Sequence, residues 1–168
     1  MDDLDYLIEP LGSHHNRAVF SCGVEPLDVY FKRQAGQEAR KRIAAPFVLI
    51  DKNSNTIAGY YTLSSIGINL GDLPPEITKK LPKYPLLPAT LLGRLAVDKN
   101  YQGKKLGETL LLDALYRSLK NEIASMAVVV DAKDDKARTF YEHYGFIRFP
   151  VFSYRLFLTM TTIDKLFE

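Results

Sequence analysis

The sequence has little cysteine and no long apolar run, and each shortage excludes a class of protein. Cys22 is the only cysteine among 168 residues, which excludes an internal disulfide and a cysteine-cluster metal site. No run of about 18 apolar residues occurs, so no membrane-spanning helix is expected. The opening residues, MDDLDYLIEPLG, are acidic and lack the basic start and apolar run of a signal peptide. We therefore expect a protein of the reducing cytoplasm.

The composition is that of an ordinary globular protein. Hydrophobic residues make up 46% of the chain and charged residues 25%, which is sufficient for a packed core. The length fits one domain, and we expect residues 1–168 to form it. A formal net charge of +2 is too small to indicate a nucleic-acid partner by itself.

The first half of the chain mixes strand and helix patterns. Residues 4–8 predict a short strand, and EPLDVYFKRQAGQEARKR predicts two short helices interrupted near Gly36. Residues 47–50 and the segment from Thr56 onward are β-branched and aromatic, and the polar DKNSN between them predicts a hairpin. Residues 71–88 contain five prolines and predict a loop with one short helix.

The second half predicts a parallel strand pair. A strand over 91–97 precedes an amphipathic helix whose apolar face comprises Leu106, Leu110, Leu111, Ala114, Leu115 and Leu119. The apolar run SMAVVVDA then predicts a strand buried on both faces, which completes a βαβ unit. Asp134 is placed to cap a further helix that ends at Gly145, and a last strand is predicted over 154–159.

The loop QGKKLG, residues 102–107, lies between the predicted strand and the first of these helices. A helix start offers unpaired backbone N–H groups and partial positive charge, and glycines let an anion approach closely. A simple strand-to-helix connection would explain the same pattern. The sequence contains neither a P-loop nor a Rossmann fingerprint.

RLAVDKNYQGKKLGETLLLDAL resembles motif A of the GNAT acetyltransferases, [QR]-x-x-G-x-[GA]. Gln102 and Gly107 match its first and last positions, while Lys105 replaces its central glycine. We expect a helical φ at Lys105, which tolerates a side chain. Downstream, DAKDDKARTFYEHYGF resembles the family's A-x-x-F-Y-x-x-x-G-F segment, so two motifs match in the family's order.

This resemblance implies a GNAT fold and acetyl-CoA as co-substrate. The fold is an α/β (α+β) arrangement: a mixed, mostly antiparallel central sheet with a parallel βαβ unit at the acetyl-CoA site, flanked by helices. The residues that it implies for acetyl-CoA binding are Leu95, Ala96, Val97, Gln102, Gly103, Lys104, Lys105, Leu106, Gly107 and Asp134. For Asp134, a helix-capping role explains the residue equally well.

FSCGVEPLDVYFKRQA, GYYTLSS and LPKYPLLPATLLGRLAVD resemble the GNAT-type toxins of bacterial toxin–antitoxin modules. That resemblance covers nearly the whole chain. It implies acetylation of the α-amino group of aminoacyl-tRNA, translation arrest, neutralisation by an antitoxin with a ribbon-helix-helix part, and a homodimer.

Tyr141 is the candidate general acid for the coenzyme A thiolate. A phenol with a pKa of about 10 can protonate a thiolate of similar pKa. Helical periodicity alone indicates core packing for Tyr141, whereas the F-Y-x-x-x-G-F match favours catalysis. An α-amino group has a pKa of about 7.7–8.0, so no strong protein base is required.

Basic residues cluster in two segments, at 32–42 and 79–83. Such runs are ordinarily solvated surface, but with the toxin resemblance they predict contacts to tRNA phosphates. The predicted RNA-binding residues are Lys32, Arg33, Arg40, Lys41, Arg42, Lys79, Lys80 and Arg94.

The remaining candidate side chains favour no further chemistry. We expect His14, His15 and His143 to be surface residues without metal spacing, and Cys22 to be a small packed residue.

Two alternative functions stay open from the sequence. One is an acetyltransferase of small amines or protein N-termini. The other is a CoA-binding or RNA-binding module made inactive by Lys105.

Overall fold

The computed structural model describes residues 5–168, so residue 4 of the first predicted strand lies outside the described part. That part contains seven strands: β1 (Tyr6–Pro10), β2 (Ala45–Asp51), β3 (Thr56–Asn69), β4 (Leu86–Val97), β5 (Ala127–Asp131), β6 (Ile147–Arg148) and β7 (Arg155–Thr159). Its α-helices are α1 (Glu25–Arg33), α2 (Ala35–Arg40), α3 (Pro75–Thr78), α4 (Leu106–Lys120), α5 (Asp135–His143) and α6 (Met160–Leu166).

The strands form one mixed sheet in the order β1-β2-β3-β4-β5-β7-β6. Strands β4 and β5 pair in parallel through the register Leu91↔Val129. The pairs β1–β2, β2–β3, β5–β7 and β6–β7 are antiparallel. A mostly antiparallel sheet with one parallel pair around a connecting helix is the predicted architecture, which is confirmed.

The chain divides into two compact units, one with residues up to 64 and 93–114, the other with 65–92 and 115–168. The first unit has an aromatic core. Phe31 and Tyr60 are fully buried, and their rings stack with centroids 4.2 Å apart. Phe20 meets Phe31 edge-on at 5.0 Å. Burying Phe31 fixes α1 against the β2–β3 hairpin, since a buried aromatic ring is worth several kcal/mol.

The second unit buries β5 and β7. The interior positions Val129 and Phe157 are inaccessible to solvent, and Phe149 packs edge-on against Phe157 at 5.1 Å. This explains the continuous apolar run in the sequence, because a strand covered on both faces has no polar side. No helix among the described residues is long and apolar enough to cross a membrane.

Gly59 of β3 shows why a glycine is needed at one point of the first unit. A Cβ atom there would lie 2.9 Å from the carbonyl oxygen of Ala96 and 2.9 Å from Leu110 Cδ1. Both contacts are closer than side chains tolerate. Helix α4 therefore approaches the sheet closely at this residue, and Leu110 is fully buried.

Several element boundaries differ from those predicted. The break between α1 and α2 falls at Gln34, not near Gly36, and Gly36 lies within α2. Strand β4 begins at Leu86, earlier than predicted, because residue 86 onward already extends into the sheet. Strand β6 and helix α6 were not predicted; two residues of β6 carry too little periodicity to be recognised.

Candidate active site

The loop after β4 is held in place by Asp98, which follows the last residue of the strand. Asp98 is buried; its Oδ2 accepts a hydrogen bond from the Ser21 backbone N–H at 3.0 Å and its Oδ1 accepts one from the Asn100 N–H at 2.9 Å. A second backbone bond runs from the Lys99 N–H to the Ser21 carbonyl at 2.8 Å. A buried carboxylate needs such donors, so Asp98 fixes where the loop begins.

Gln102 closes this loop onto its own strand. Its amide nitrogen donates to the carbonyl oxygens of Cys22 and Val97, each at 3.1 Å. The Gln102 side chain, which is predicted to bind acetyl-CoA, therefore helps to hold the loop in place. Its amide oxygen remains available to a ligand.

Two residues of the loop adopt a left-handed backbone. Gly103 has a φ of +83° and Lys105 a φ of +59°. The predicted helical φ at Lys105 is wrong, because the chain must reverse sharply to enter α4 at Leu106. This conformation explains the family's glycine, since a non-glycine residue adopts it at a cost of about 1–2 kcal/mol.

The start of α4 supplies a site for an anion. The first N–H groups of an α-helix have no partner within the helix and carry partial positive charge. Gly103, Lys104 and Lys105 are exposed immediately before it. Lys104 Nζ lies 5.3 Å from the Tyr101 ring centroid, so its ammonium stays near the loop. Two cations and a glycine-containing turn at a helix start fit the charge of a pyrophosphate.

The strand end that precedes the loop is only partly covered. Ala96 is buried, while Leu95 and Val97 are half-buried. Backbone N–H groups at such a strand end can polarise a carbonyl group brought against them.

Tyr141 lies on α5 in the second unit. Its ring is buried, with 8% of the residue exposed, and it packs edge-on against Phe140 and Phe146. Within residues 5–168 the Tyr141 hydroxyl makes no hydrogen bond. Every side-chain oxygen in that range that is sealed from solvent has a hydrogen-bond partner. The hydroxyl oxygen is therefore not completely sealed from solvent, although the ring is buried. Burial raises the pKa of Tyr141 above that of an ordinary phenol, so it stays protonated.

Asp134 caps α5, as the sequence predicts. Its side chain accepts a hydrogen bond from the Ala137 N–H at 2.8 Å. One carboxylate oxygen thus has a structural partner. Gly145, with a φ of +95°, follows the helix end, which is the predicted position for a left-handed residue.

A groove of about 560 Å³ lies in the second unit, lined by Asp131, Ala132, Phe152, Ser153, Tyr154 and Arg155. Its charges are paired: Arg155 donates to both carboxylate oxygens of Asp131, at 2.8 and 2.9 Å. Tyr154 donates to Asp135 and is covered by the Arg138 guanidinium, 4.4 Å from its ring centroid. The groove therefore presents aromatic rings and no free charge from these groups.

The predicted RNA-binding residues lie in both units. Lys32, Arg33, Arg40, Lys41 and Arg42 are exposed around the ends of α1 and α2, in the first unit. Lys79 and Lys80 are exposed after α3, in the second. Arg94 is half-buried, with its guanidinium carbon 3.4 Å from the Tyr30 ring centroid, so it is a stacked and oriented cation.

Comparisons with known proteins agree with this geometry. A family model described as an acetyltransferase (GNAT) domain matches residues 88–157. A tRNA-acetylating toxin of Mycobacterium tuberculosis is 34% identical over 143 residues, covering 84% of each chain. This chain belongs to the GNAT acetyltransferase family.

Two solved structures extend the similarity over nearly the full length. The toxin AtaT, complexed with acetyl-methionyl-tRNAfMet, is 30% identical with a TM-score of 0.89, covering 98% of this chain and 100% of that one. A tyrosine-to-phenylalanine mutant of AtaT, bound to the C-terminus of the antitoxin AtaR and acetyl-CoA, is 27% identical with a TM-score of 0.80, covering 97% and 98%.

As a GNAT protein, this chain is an acetyl-CoA-dependent acetyltransferase. The predictions of family, fold, enzyme class and co-substrate are confirmed. The loop fits that co-substrate, because its helix start and its two lysines offer positive charge to phosphates. Asp98 is a residue that sequence reasoning missed; an aspartate directly after a strand, followed by polar residues, was the available signal.

The histidine prediction is wrong for one residue of this GNAT chain. The side chain of His15 is only 5% exposed, and its Nε2 lies 2.7 Å from Glu9 Oε1. The Gly12 N–H donates to His15 Nδ1 at 2.8 Å, so Nε2 carries the proton and donates to Glu9. His14 Nε2 also lies 3.7 Å from Glu9 Oε1. Both nitrogens of His15 are committed to hydrogen bonds, although the three side chains are close enough to be considered as metal ligands.

Cys22 is packed as predicted. It is buried, and burial raises the pKa of its thiol to about 11. The thiol is therefore protonated at physiological pH and a poor nucleophile.

Proposed function

We propose that this chain is a toxin-type acetyltransferase that acetylates the α-amino group of aminoacyl-tRNA and thereby arrests translation. The observation that carries the proposal is full-length similarity to AtaT, whose structure contains acetyl-methionyl-tRNAfMet. The toxin of Mycobacterium tuberculosis, described as tRNA-acetylating, supports the same acceptor. An amine that is already attached to RNA explains why exposed cations accompany an acetyl-CoA site.

The acetyl-CoA residues that we propose are Leu95, Ala96, Val97, Gln102, Gly103, Lys104, Lys105, Leu106, Gly107 and Asp134. The N–H groups at the start of α4 bind the pyrophosphate, and Lys105 adds charge that a glycine lacks. The strand end at 95–97 polarises the thioester carbonyl. Asp134 contributes through the carboxylate oxygen that does not cap α5.

Tyr141 is the proposed general acid. The neutral α-amino nitrogen attacks the thioester carbonyl carbon, a C–N bond forms, and the C–S bond breaks. The departing thiolate takes the phenol proton of Tyr141, the acetylated nitrogen releases its extra proton to solvent, and the Tyr141 phenolate regains a proton from solvent. Because burial raises the Tyr141 pKa, the match to the thiolate is poorer than predicted from an ordinary phenol. The same burial keeps the proton available at every physiological pH.

The proposed contacts to RNA phosphates are seven exposed cations and the half-buried Arg94: Lys32, Arg33, Arg40, Lys41, Arg42, Lys79, Lys80 and Arg94. Each neutralised phosphate releases counterions, so binding to tRNA should weaken with salt. Arg94 is already oriented, because its guanidinium carbon lies 3.4 Å from the Tyr30 ring centroid.

The proposed partners are aminoacyl-tRNA, an antitoxin with a ribbon-helix-helix part, and a second copy of the chain. The AtaT structure with the C-terminus of AtaR supports an antitoxin. Charged tRNA as acceptor makes the cytoplasm the proposed compartment. We also propose that residues 1–168 act as a single acetyltransferase domain, because each compact unit is assembled from two separate chain segments.

Labelled acetyl-CoA incubated with the protein and a pool of charged and uncharged tRNA tests this function. We expect label on charged tRNA alone, released with the amino acid when the ester is hydrolysed. Absence of label on charged tRNA, with acetyl-CoA binding intact, would contradict the tRNA acceptor and favour small amines or protein N-termini. Absence of acetyl-CoA binding would indicate that Lys105 disables the loop.

A further inference from the structure

The guanidinium groups of Arg17 and Arg40 both lie next to Gly36 in the first unit. Arg17 Nη1 donates to the Phe31 carbonyl oxygen at 2.8 Å, which fixes its side chain near the C-terminal end of α1. A Cβ atom at Gly36 would lie 3.3 Å from Arg17 Nη2 and 3.4 Å from Arg40 Nη1. The two guanidinium groups therefore lie close to the position that a Gly36 side chain would occupy, and the absence of that side chain makes room for both.

No carboxylate neutralises this pair within the part of the chain that the structure describes. Glu38 is the one acid in the 32–42 run, and its carboxylate accepts a hydrogen bond from the Tyr30 hydroxyl at 2.8 Å. Neither arginine has an ion pair with any residue in the range 5–168. Two adjacent cations repel each other, and an anion bound between them relieves that repulsion.

We propose that Arg17 and Arg40 form a phosphate clamp for the RNA backbone of the acetyl acceptor, with Gly36 as its floor. Guanidinium groups match phosphate oxygens with paired N–H donors, and Arg17 is already oriented by its bond to Phe31. The ligand class is a phosphodiester. This inference rests on the proposed tRNA acceptor and extends it to Arg17, which sequence patterns did not single out.

Three variants test the clamp: Arg17→Ala, Gly36→Ala and, as a charge-loss control on α6, Lys165→Ala. Binding of uncharged tRNA is measured at several salt concentrations, together with binding of acetyl-CoA. Gly36→Ala keeps every charge and favours the helix, so a loss of tRNA binding with acetyl-CoA binding intact indicates the clamp and not unfolding. We expect Arg17→Ala and Gly36→Ala to weaken tRNA binding roughly three- to tenfold, Arg17→Ala also reducing the salt slope by about one.

Acetyl-CoA binding should be unchanged in all three variants, and Lys165→Ala should bind tRNA as the wild type does. Wild-type tRNA affinity in both Arg17→Ala and Gly36→Ala overturns the clamp. Loss of acetyl-CoA affinity in both variants also overturns it, because the phosphate would then be the coenzyme's. If the wild-type chain acetylates charged tRNA while the clamp variants bind normally, only the clamp fails. If the variants lose tRNA binding while no charged tRNA is acetylated, only the proposed function fails.

Discussion

The two compact units use their charged side chains differently. In the second unit, Arg155 pairs with Asp131 and Arg148 with Glu142, and each arginine donates to both carboxylate oxygens. In the first unit, the exposed cations of the loop and of the segment from α1 to residue 42 form no ion pair within residues 5–168; they are Lys32, Arg33, Arg40, Lys41, Arg42, Lys104 and Lys105.

This difference separates charges that hold structure from charges that are available to a ligand. An exposed ion pair contributes little stability but fixes the segments it joins. Unpaired cations gain most from an anion that arrives later, such as the phosphates of acetyl-CoA and RNA. The second unit also carries exposed cations, Lys79 and Lys80, and in addition the uncharged Tyr141 hydroxyl.

The largest expected effect concerns that hydroxyl. Tyr141→Phe keeps the buried ring but removes the proton, so we expect turnover to fall by about 10²-fold or more. Acetyl-CoA affinity should not change, because the cations that we propose for its phosphates, Lys104 and Lys105, lie in the first unit. Single-turnover transfer and equilibrium binding of acetyl-CoA are the measurements. Equal loss of binding and transfer would contradict the general-acid role and indicate packing.

Removing cations from each unit tests the comparison directly. Lys32→Ala combined with Lys41→Ala should lower the salt slope of tRNA binding by roughly two, because two phosphate contacts are lost. Arg148→Ala, which breaks a pair in the second unit, should leave that slope unchanged. Binding of tRNA between about 50 and 200 mM salt measures both. A lower slope for Arg148→Ala would remove the distinction between paired and unpaired charges.

The loop between β4 and α4 offers a smaller effect in stability. Lys105→Gly relieves a left-handed backbone, which should raise the free energy of unfolding by roughly 0.5–1 kcal/mol after the added chain entropy of glycine. The lost ammonium should weaken acetyl-CoA binding several-fold. Denaturant unfolding and equilibrium binding measure the two quantities. Lys104→Gly is the matched control: its backbone is not left-handed, so glycine there should lower stability. A stability loss in both variants would show that Lys105 is unstrained.

The smallest effect depends on pH. The Tyr101 hydroxyl donates to Asp51 Oδ2 at 2.7 Å, and this bond lowers the pKa of Asp51 below its usual 3.8. Because the pKa of Asp51 is lower in the folded state, the stabilisation is complete above the pKa of the unfolded state. It is lost as the pH falls through the pKa of the folded state. Tyr101→Phe should therefore cost less than about 1 kcal/mol at pH 7 and still less below pH 4. Denaturant unfolding at both pH values measures it; a cost independent of pH would assign the effect to ring packing.

Much of the fold could be predicted because the decisive patterns are local. The leucine spacing of α4, the apolar run of β5 and the Asp134 cap each depend on residues within a few positions of one another. The loop at 102–107 and the segment that contains Phe140 and Tyr141 were recognisable as motifs for the same reason. Strand β6 and helix α6 escaped prediction, since β6 is two residues long and α6 is short and mostly exposed.

Other features depend on residues far apart in the chain. The Asp98 carboxylate accepts a hydrogen bond from the Ser21 N–H, which lies 77 positions away in the chain. The contact of Arg17 with the Phe31 carbonyl, and its approach to Arg40, arise only once α1 and α2 have packed. His15 is buried because the loop folds back onto Glu9. No periodicity within one segment encodes such contacts.

The sequence by itself determined the GNAT family, the order of most elements and the position of the loop between β4 and α4, because these follow from short-range patterns and motifs. Only the tertiary structure decided the left-handed backbone of Lys105, the burial of the Tyr141 ring with its hydroxyl not sealed from solvent, and which charged side chains form ion pairs. The physical reason is that backbone conformation at a turn, solvent exposure and ion pairing are set by which distant segments pack together.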